Sequence, residues 1–160
     1  MAVACQPGRR ARSEVIILSA GHQLSVEDVR NLLSDPSAEN RALTATKVAA
    51  AFSSGKLNER ERELAEGIFR IMARDVEQKV REALSQTIRL SPDLPHDVAL
   101  ALANDIAAVA VPFIEASSVL TDDDLLDIIR SKPAEYQVAV AGRAEVSERV
   151  SDALDRKSVV

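Results

Sequence analysis

The sequence predicts an all-α protein, a stack of helix pairs of the α-solenoid kind, and three observations predict it. A short pattern occurs twice, Asp35 followed by Arg41-Ala42-Leu43 and Asp75 followed by Arg81-Glu82-Ala83-Leu84, with the two aspartates forty residues apart. A second pattern, an apolar residue, a capping or turn residue, acids and then an apolar helix, opens at Leu94, Leu120 and Val146, a step of 26 residues each time. Between these marks the apolar residues recur at three and four positions, which is the helical period. Two helices per unit, each burying its apolar face only against its neighbours, make a stacked array. The early spacing is unequal, forty residues from Asp35 to Asp75 and thirty on to Asp105, so the repeats are irregular and number roughly four to five.

Residues 1–23 read as a disordered or weakly ordered tail, and residues 24–160 as the helical repeat domain. The tail carries Arg9, Arg10, Arg12 and the single cysteine, Cys5. Its apolar run, Val15 to Leu18, is shorter than the seven or more residues, roughly, of a secretory signal. Residues 1–14 are open to a second reading, as the product of an upstream start with the natural chain beginning near Val15. Ser25 caps a first helix, with Asp28 at its third position. Asp35-Pro36-Ser37 closes that helix and starts another over Ala38 to Phe52, whose Ala42, Ala45, Val48, Ala49 and Phe52 share a face. After the Ser53-Ser54-Gly55 turn, Asn58 caps a helix over Glu59 to Arg74, with Leu64, Ile68 and Met72 expected as its buried stripe. The next, Val76 to about Leu90, is amphipathic, with Val80, Leu84 and Ile88 on one side and Gln78, Glu82 and Arg89 toward the other. Pro95 suits a first helical turn, where its missing N–H costs nothing. A short helix over Asp97 to Ala103 follows, then one over Asp105 to Ala116 that Pro112 should kink. Thr121 starts a further helix, and Ala134 to Ala144 forms its partner.

Composition excludes several classes. Of 160 residues, 46% are hydrophobic and 28% charged, enough for one domain with a core and too polar for a membrane protein. The weakly polar stretch from Val98 to Ile114 is broken by Asn104 and Asp105, so it does not span a bilayer. Aromatic residues number four, Phe52, Phe69, Phe113 and Tyr136, which suits thin layers of close-packed helices and suits a deep aromatic ligand pocket poorly. A single cysteine forms no intrachain disulfide and fits a reducing compartment, so the chain reads as cytoplasmic. The net charge of −5 opposes attraction to nucleic acid phosphate over the body of the protein.

The chemistry-bearing residues read as structural. Asp35, Arg41, Asp75 and Arg81 form a structural ladder, each aspartate at a helix start and each arginine six residues on, within reach of an Asp or a carbonyl. Asp105 begins a third unit, but the position six onward is Val111, so the ladder stops there. Thr121-Asp122-Asp123-Asp124 lacks the glycine and distal glutamate of a calcium loop. A threonine cap with acids in the first turn accounts for it. His96 beside Asp97 has no nucleophile or second ligand near it in sequence. The alternating Glu59-Arg60-Glu61-Arg62-Glu63 run is a solvated face with local ion pairs. No catalytic, metal or cofactor residue is assigned.

The blocks Leu24-Ser25-Val26-Glu27-Asp28-Val29-Arg30, Ala73-Arg74-Asp75, Leu94-Pro95-His96-Asp97-Val98-Ala99, Val119-Leu120-Thr121-Asp122-Asp123-Asp124-Leu125 and Val138-Ala139-Val140-Ala141-Gly142-Arg143 together resemble the bacterial domain of unknown function 2336 family, a group of HEAT-like helical repeat proteins. The resemblance covers nearly all of the chain after Gln23. It implies a HEAT-like fold and carries no catalytic residues. It also implies further helices after the segment matching Val146 to Leu154, so this chain reads either as a truncated member or as one whose last apolar face another chain covers.

The expected function is a non-enzymatic protein–protein interaction or scaffold module. Lys47, Gln78, Glu82 and Arg89, polar positions on the second helices, are the expected contact surface. Two alternatives stand beside it. One is a small ligand-sensing or regulatory domain, or a weak enzyme, using His96, Asp97 and the 121–124 acids, which one repeat of stacking would bring to the same edge. The other is a structural piece of a homo-oligomer joined through the C-terminal end.

Overall fold

The computed structural model describes residues 36–158. Asp35, the helix expected after Ser25 and the tail over 1–23 lie outside the described residues. Those described form eight α-helices and no strand. They are α1 (Ala38–Ser53), α2 (Glu59–Met72), α3 (Gln78–Ile88), α4 (His96–Ala103), α5 (Ala107–Ala116), α6 (Asp122–Ser131), α7 (Ala134–Ala141) and α8 (Glu148–Ser158). The helices α4, α6 and α8 start at 96, 122 and 148, the 26-residue step read from the sequence.

The ends follow from local chemistry. Ser37 Oγ accepts the Asn40 N–H and opens α1. Asn58 and Glu61 form a reciprocal capping box at α2, and Thr121 and Asp124 form another at α6. At α4 and α7 the N-cap position is a proline, Pro95 and Pro133, which fixes φ ahead of the first turn. Gly55 closes the α1–α2 turn at φ 67°, a left-handed conformation that a Cβ disfavours. The α7 helix ends at Ala141 rather than Ala144, because Gly142 and the turn after it interrupt the ladder. Pro112 sits inside α5 and removes a bond to the carbonyl of Ala108, a solvent-exposed residue, and the helix runs on to Ala116.

The helices pack in two alternating sets. Odd-numbered helices lie side by side, α1 on α3, α3 on α5 and α5 on α7. In the even-numbered set α2 packs on α4 and α6 on α8. One core runs between the sets, with Val48, Phe69, Val80, Leu84, Ile88, Leu102, Phe113, Ile114, Ile128 and Ile129 shielded from solvent. Buried alanines, Ala45, Ala49, Ala65, Ala99, Ala103, Ala110 and Ala139, let the helix axes approach closely. The α2 stripe differs from the expected one: Leu64 is 66% exposed, and Ala65, Phe69 and Met72 face the core. Phe69 decides this. Its ring meets Phe52 edge-on at 5.1 Å, and turning the bulkier side chain inward swings Leu64 to the flank.

Candidate functional site

Two rows of polar contacts tie successive helices together. In the odd set, Arg41 Nε and Nη2 donate to the two carboxylate oxygens of Asp75 at 2.9 and 3.0 Å, and its Nη1 donates to the Pro36 carbonyl. Arg81 repeats the arrangement one unit on, with Nε and Nη2 donating to Asp105 at 2.6 and 3.1 Å and Nη1 to the Asp75 carbonyl at 2.6 Å. Each arginine therefore grips the turn at the start of its own helix and the aspartate at the start of the next odd helix, a fork geometry suited to guanidinium. The aspartates in turn accept backbone N–H bonds, Asp75 from Glu77 at 2.9 Å and Asp105 from Ile106 at 2.7 Å. Burial pushes the Asp75 carboxyl up. The Arg41 and Glu77 hydrogen bonds and the charges of Arg41 and Arg81 outweigh that, so it titrates below the ordinary carboxylate range. The Asp105 hydrogen bonds push Arg81 up.

At the third unit the chemistry changes. Val111 stands where an arginine stood, and Lys132, at the corresponding start of α7, stands where an aspartate would. The seam is closed instead by the Tyr136 hydroxyl donating to the Asp105 carbonyl at 2.6 Å and by Lys132 Nζ donating to the Asn104 carbonyl at 2.9 Å. Lys132 also lies 5.6 Å from the Tyr136 ring. Arg143 Nη1 donates to the Ile114 carbonyl. Val111 ended the expected pattern in the sequence, but no signal there pointed to Tyr136 or Lys132 as its substitute.

The even set has its own row. Arg70 donates to Asp97 at 2.8 Å, His96 Nε2 meets Asp124 Oδ2 at 2.8 Å, and Arg149 meets Asp123 at 3.2 Å, linking α2 to α4, α4 to α6 and α6 to α8. The structure thus joins His96 to one of the 121–124 acids and sends Asp97 the other way, to Arg70. Burial raises the Asp124 carboxyl, and the bonds from His96 and Thr121 lower it further than burial raises it, leaving a net downward shift. The Thr121 hydroxyl donates to that same Asp124 oxygen at 2.7 Å. Among the described residues no group of three or more His, Cys, Asp or Glu side chains is placed to hold a metal ion.

The residues expected at a contact surface lie on the odd set. Gln78 and Glu82 are hydrogen-bonded to each other on α3, beside an open groove that Ala38, Glu39 and Lys79 complete. Lys79 bridges to Glu39 of α1 at 3.2 Å. Arg89 follows the last turn of α3, and Lys47 lies half-buried on α1. A second open groove, which the sequence reading missed, runs between α7 and α8 and includes Val138, Val146 and Leu154. No helix among the described residues is long and apolar enough to cross a membrane.

Residues 109–159 match the model of a family described as "Uncharacterised protein conserved in bacteria (DUF2336)". That segment runs from within α5 through α8. No curated protein and no solved structure matches the chain.

Proposed function

From the premise that this chain belongs with the DUF2336 family through its segment 109–159, we propose that the protein is a non-enzymatic protein–protein interaction scaffold, an α-solenoid of HEAT-like helix pairs. The observation that carries the reading is the repeated Arg–Asp clamp. Arg41–Asp75 and Arg81–Asp105 hold α1, α3 and α5 in one register, so their solvent faces align into a continuous, rigid surface. Stacked arrays use such surfaces to bind extended partners. The eight described helices amount to four pairs, and a cytoplasmic location goes with this reading.

The contact positions on that surface are Lys47, Gln78, Glu82 and Arg89. The test is capture of partners from the host lysate by the tagged chain and by a variant carrying Glu82→Arg and Arg89→Glu. The swap leaves helix content unchanged and reduces capture; capture that survives the swap removes these residues from the surface.

A ligand-sensing reading draws on one contact, His96 on Asp124 at 2.8 Å. It expects divalent cations to raise the melting temperature by several degrees, roughly, through linkage, and Asp122→Ala with Asp123→Ala to abolish the rise.

A further inference from the structure

The flank of α2 turned away from α4 carries an apolar strip left open among the described residues. Arg62, Glu66 and Arg70 share the side of α2 that faces α4, where Arg62 pairs with Asp93 at 3.0 Å and Arg70 with Asp97 at 2.8 Å. Leu64 and Ile71 lie about 150° round the helix from Glu66, on the opposite flank. They are 66% and 74% exposed, and Ile68 between them is half-buried against the core. Gly67 sits between Leu64 and Ile71 on the helix surface, and a Cβ there would meet nothing within 4 Å. A glycine inside a helix is destabilising relative to alanine, and no contact within the described fold accounts for this one. A dent flanked by two apolar side chains admits a second helix at close range.

The chain itself supplies that helix. Each even helix has an apolar residue two places before its start: Leu57 in Leu57-Asn58, Leu94 in Leu94-Pro95, Leu120 in Leu120-Thr121 and Val146 in Val146-Ser147. Leu24-Ser25 has the same form, and the residues after it keep the register. Counted from the second residue of the pair, positions four, seven and eight are Ala99, Leu102 and Ala103 in α4 and Leu125, Ile128 and Ile129 in α6, all buried. In the N-terminal segment they are Val29, Leu32 and Leu33. Position one is His96 in α4, which reaches to the next even helix, and in the segment it is Val26, apolar like the α2 flank it would meet. Four residues, 34–37, then join Leu33 to α1, against five, three and two in the links from α2 to α3, α4 to α5 and α6 to α7. So short a tether keeps the segment beside α1, which itself packs on α2, and its high effective concentration favours it over a second copy.

We propose that residues 26–33 form a helix of the even set docked on the Leu64–Gly67–Ile71 flank of α2, so that the chain closes this end of its own stack. The proposal does not depend on the chain binding any partner. Hydrogen exchange read by mass spectrometry on the full chain tests it. An isolated helix of eight residues is marginal in water, so protection of the segment reports docking. In the native chain the amides of residues 29–33 exchange at least about tenfold more slowly than in a synthetic peptide of residues 22–35. Leu64→Gln with Ile71→Gln, a change that does not lower helix propensity in α2, brings them to the peptide's rate, and Val29→Gln does the same from the segment's own side. Val138→Gln, at a comparably exposed position on α7, leaves the segment protected, and the amides of α5 stay protected in every variant, so the release is local. Peptide-like exchange of 29–33 in the native chain, or protection that survives the α2 pair or Val29→Gln, would overturn the proposal. So would protection that disappears on dilution while sedimentation shows a dimer dissociating, because the occupant would then be the segment of a second copy.

Discussion

Replacing Arg81 with methionine is the most direct test of what holds the odd helices together. The change keeps most of the side-chain stem and removes the guanidinium, which makes two bonds to Asp105 and one to the Asp75 carbonyl. Both partners of the ion pair are largely shielded, with side-chain exposures of 16% and 11%, so solvent screening discounts the pair only in part. Hydrogen bonds to charged groups contribute about 1.5–3 kcal/mol each, and removing one partner of a fully buried pair costs about 3–5 kcal/mol. Asp105 keeps its bond from the Ile106 N–H, which softens the loss. The expected cost is therefore about 2–4 kcal/mol, or about 5–15 °C in melting temperature for a chain of this length. Urea unfolding followed by circular dichroism measures it, and a double-mutant cycle with Asp105→Asn isolates the pair, with an expected coupling of about 1–3 kcal/mol. A loss under about 0.5 kcal/mol, or strict additivity with Asp105→Asn, would refute the reasoning, because the clamp would then be an ornament on helices held by apolar packing alone.

Other outcomes follow from the same geometry. The pKa values of Asp75 and Asp124 are lowered in the folded state, so their contribution is present above the ordinary carboxylate range and is lost as pH falls through the folded values. Urea midpoints should hold steady from about pH 8 to pH 5 and drop below about pH 4, with a shallower drop in Asp75→Asn. Phe69→Ala leaves a cavity against Phe52 and should cost about 3–5 kcal/mol, read by the same urea titration. Thr121→Ala removes one half of the α6 capping box and should cost about 1 kcal/mol, with faster amide exchange at the first turn of α6.

Much of this architecture is legible in the sequence because it is written in local chemistry. Caps at Ser37, Asn58 and Thr121 and the 26-residue step of helix starts depend on residues close together in the chain, and the helices appear where those residues put them. Arg41 and Arg81 were visible as a pattern, but their partners were not: each crosses to the aspartate of the following unit, a choice made by packing over a separation of 34 or 24 residues. Leu64 shows the limit of periodicity. The Leu64–Ile68–Met72 and Ala65–Phe69–Met72 stripes are both helical, and only the fit of Phe69 against Phe52 separates them. The α7–α8 groove was hidden for a similar reason, since the exposure of an apolar residue such as Val138 is set by helix packing and not by its place in the sequence.

The replacement of Arg and Asp by Val111 and Lys132 divides the molecule into joints of unlike temperament. The α1–α3 and α3–α5 joints are ionic, so acid weakens them while leaving their apolar contacts in place. The α5–α7 joint rests on apolar packing, a phenolic hydroxyl and an ammonium on carbonyls, none of which loses its partner to protonation at the pH where a carboxylate does. On acidification the odd set should therefore loosen at the α1–α3 and α3–α5 joints first, while the α5–α7 joint, largely within the span the family model covers, stays docked. A stress that works on apolar contact instead bears on every joint at once.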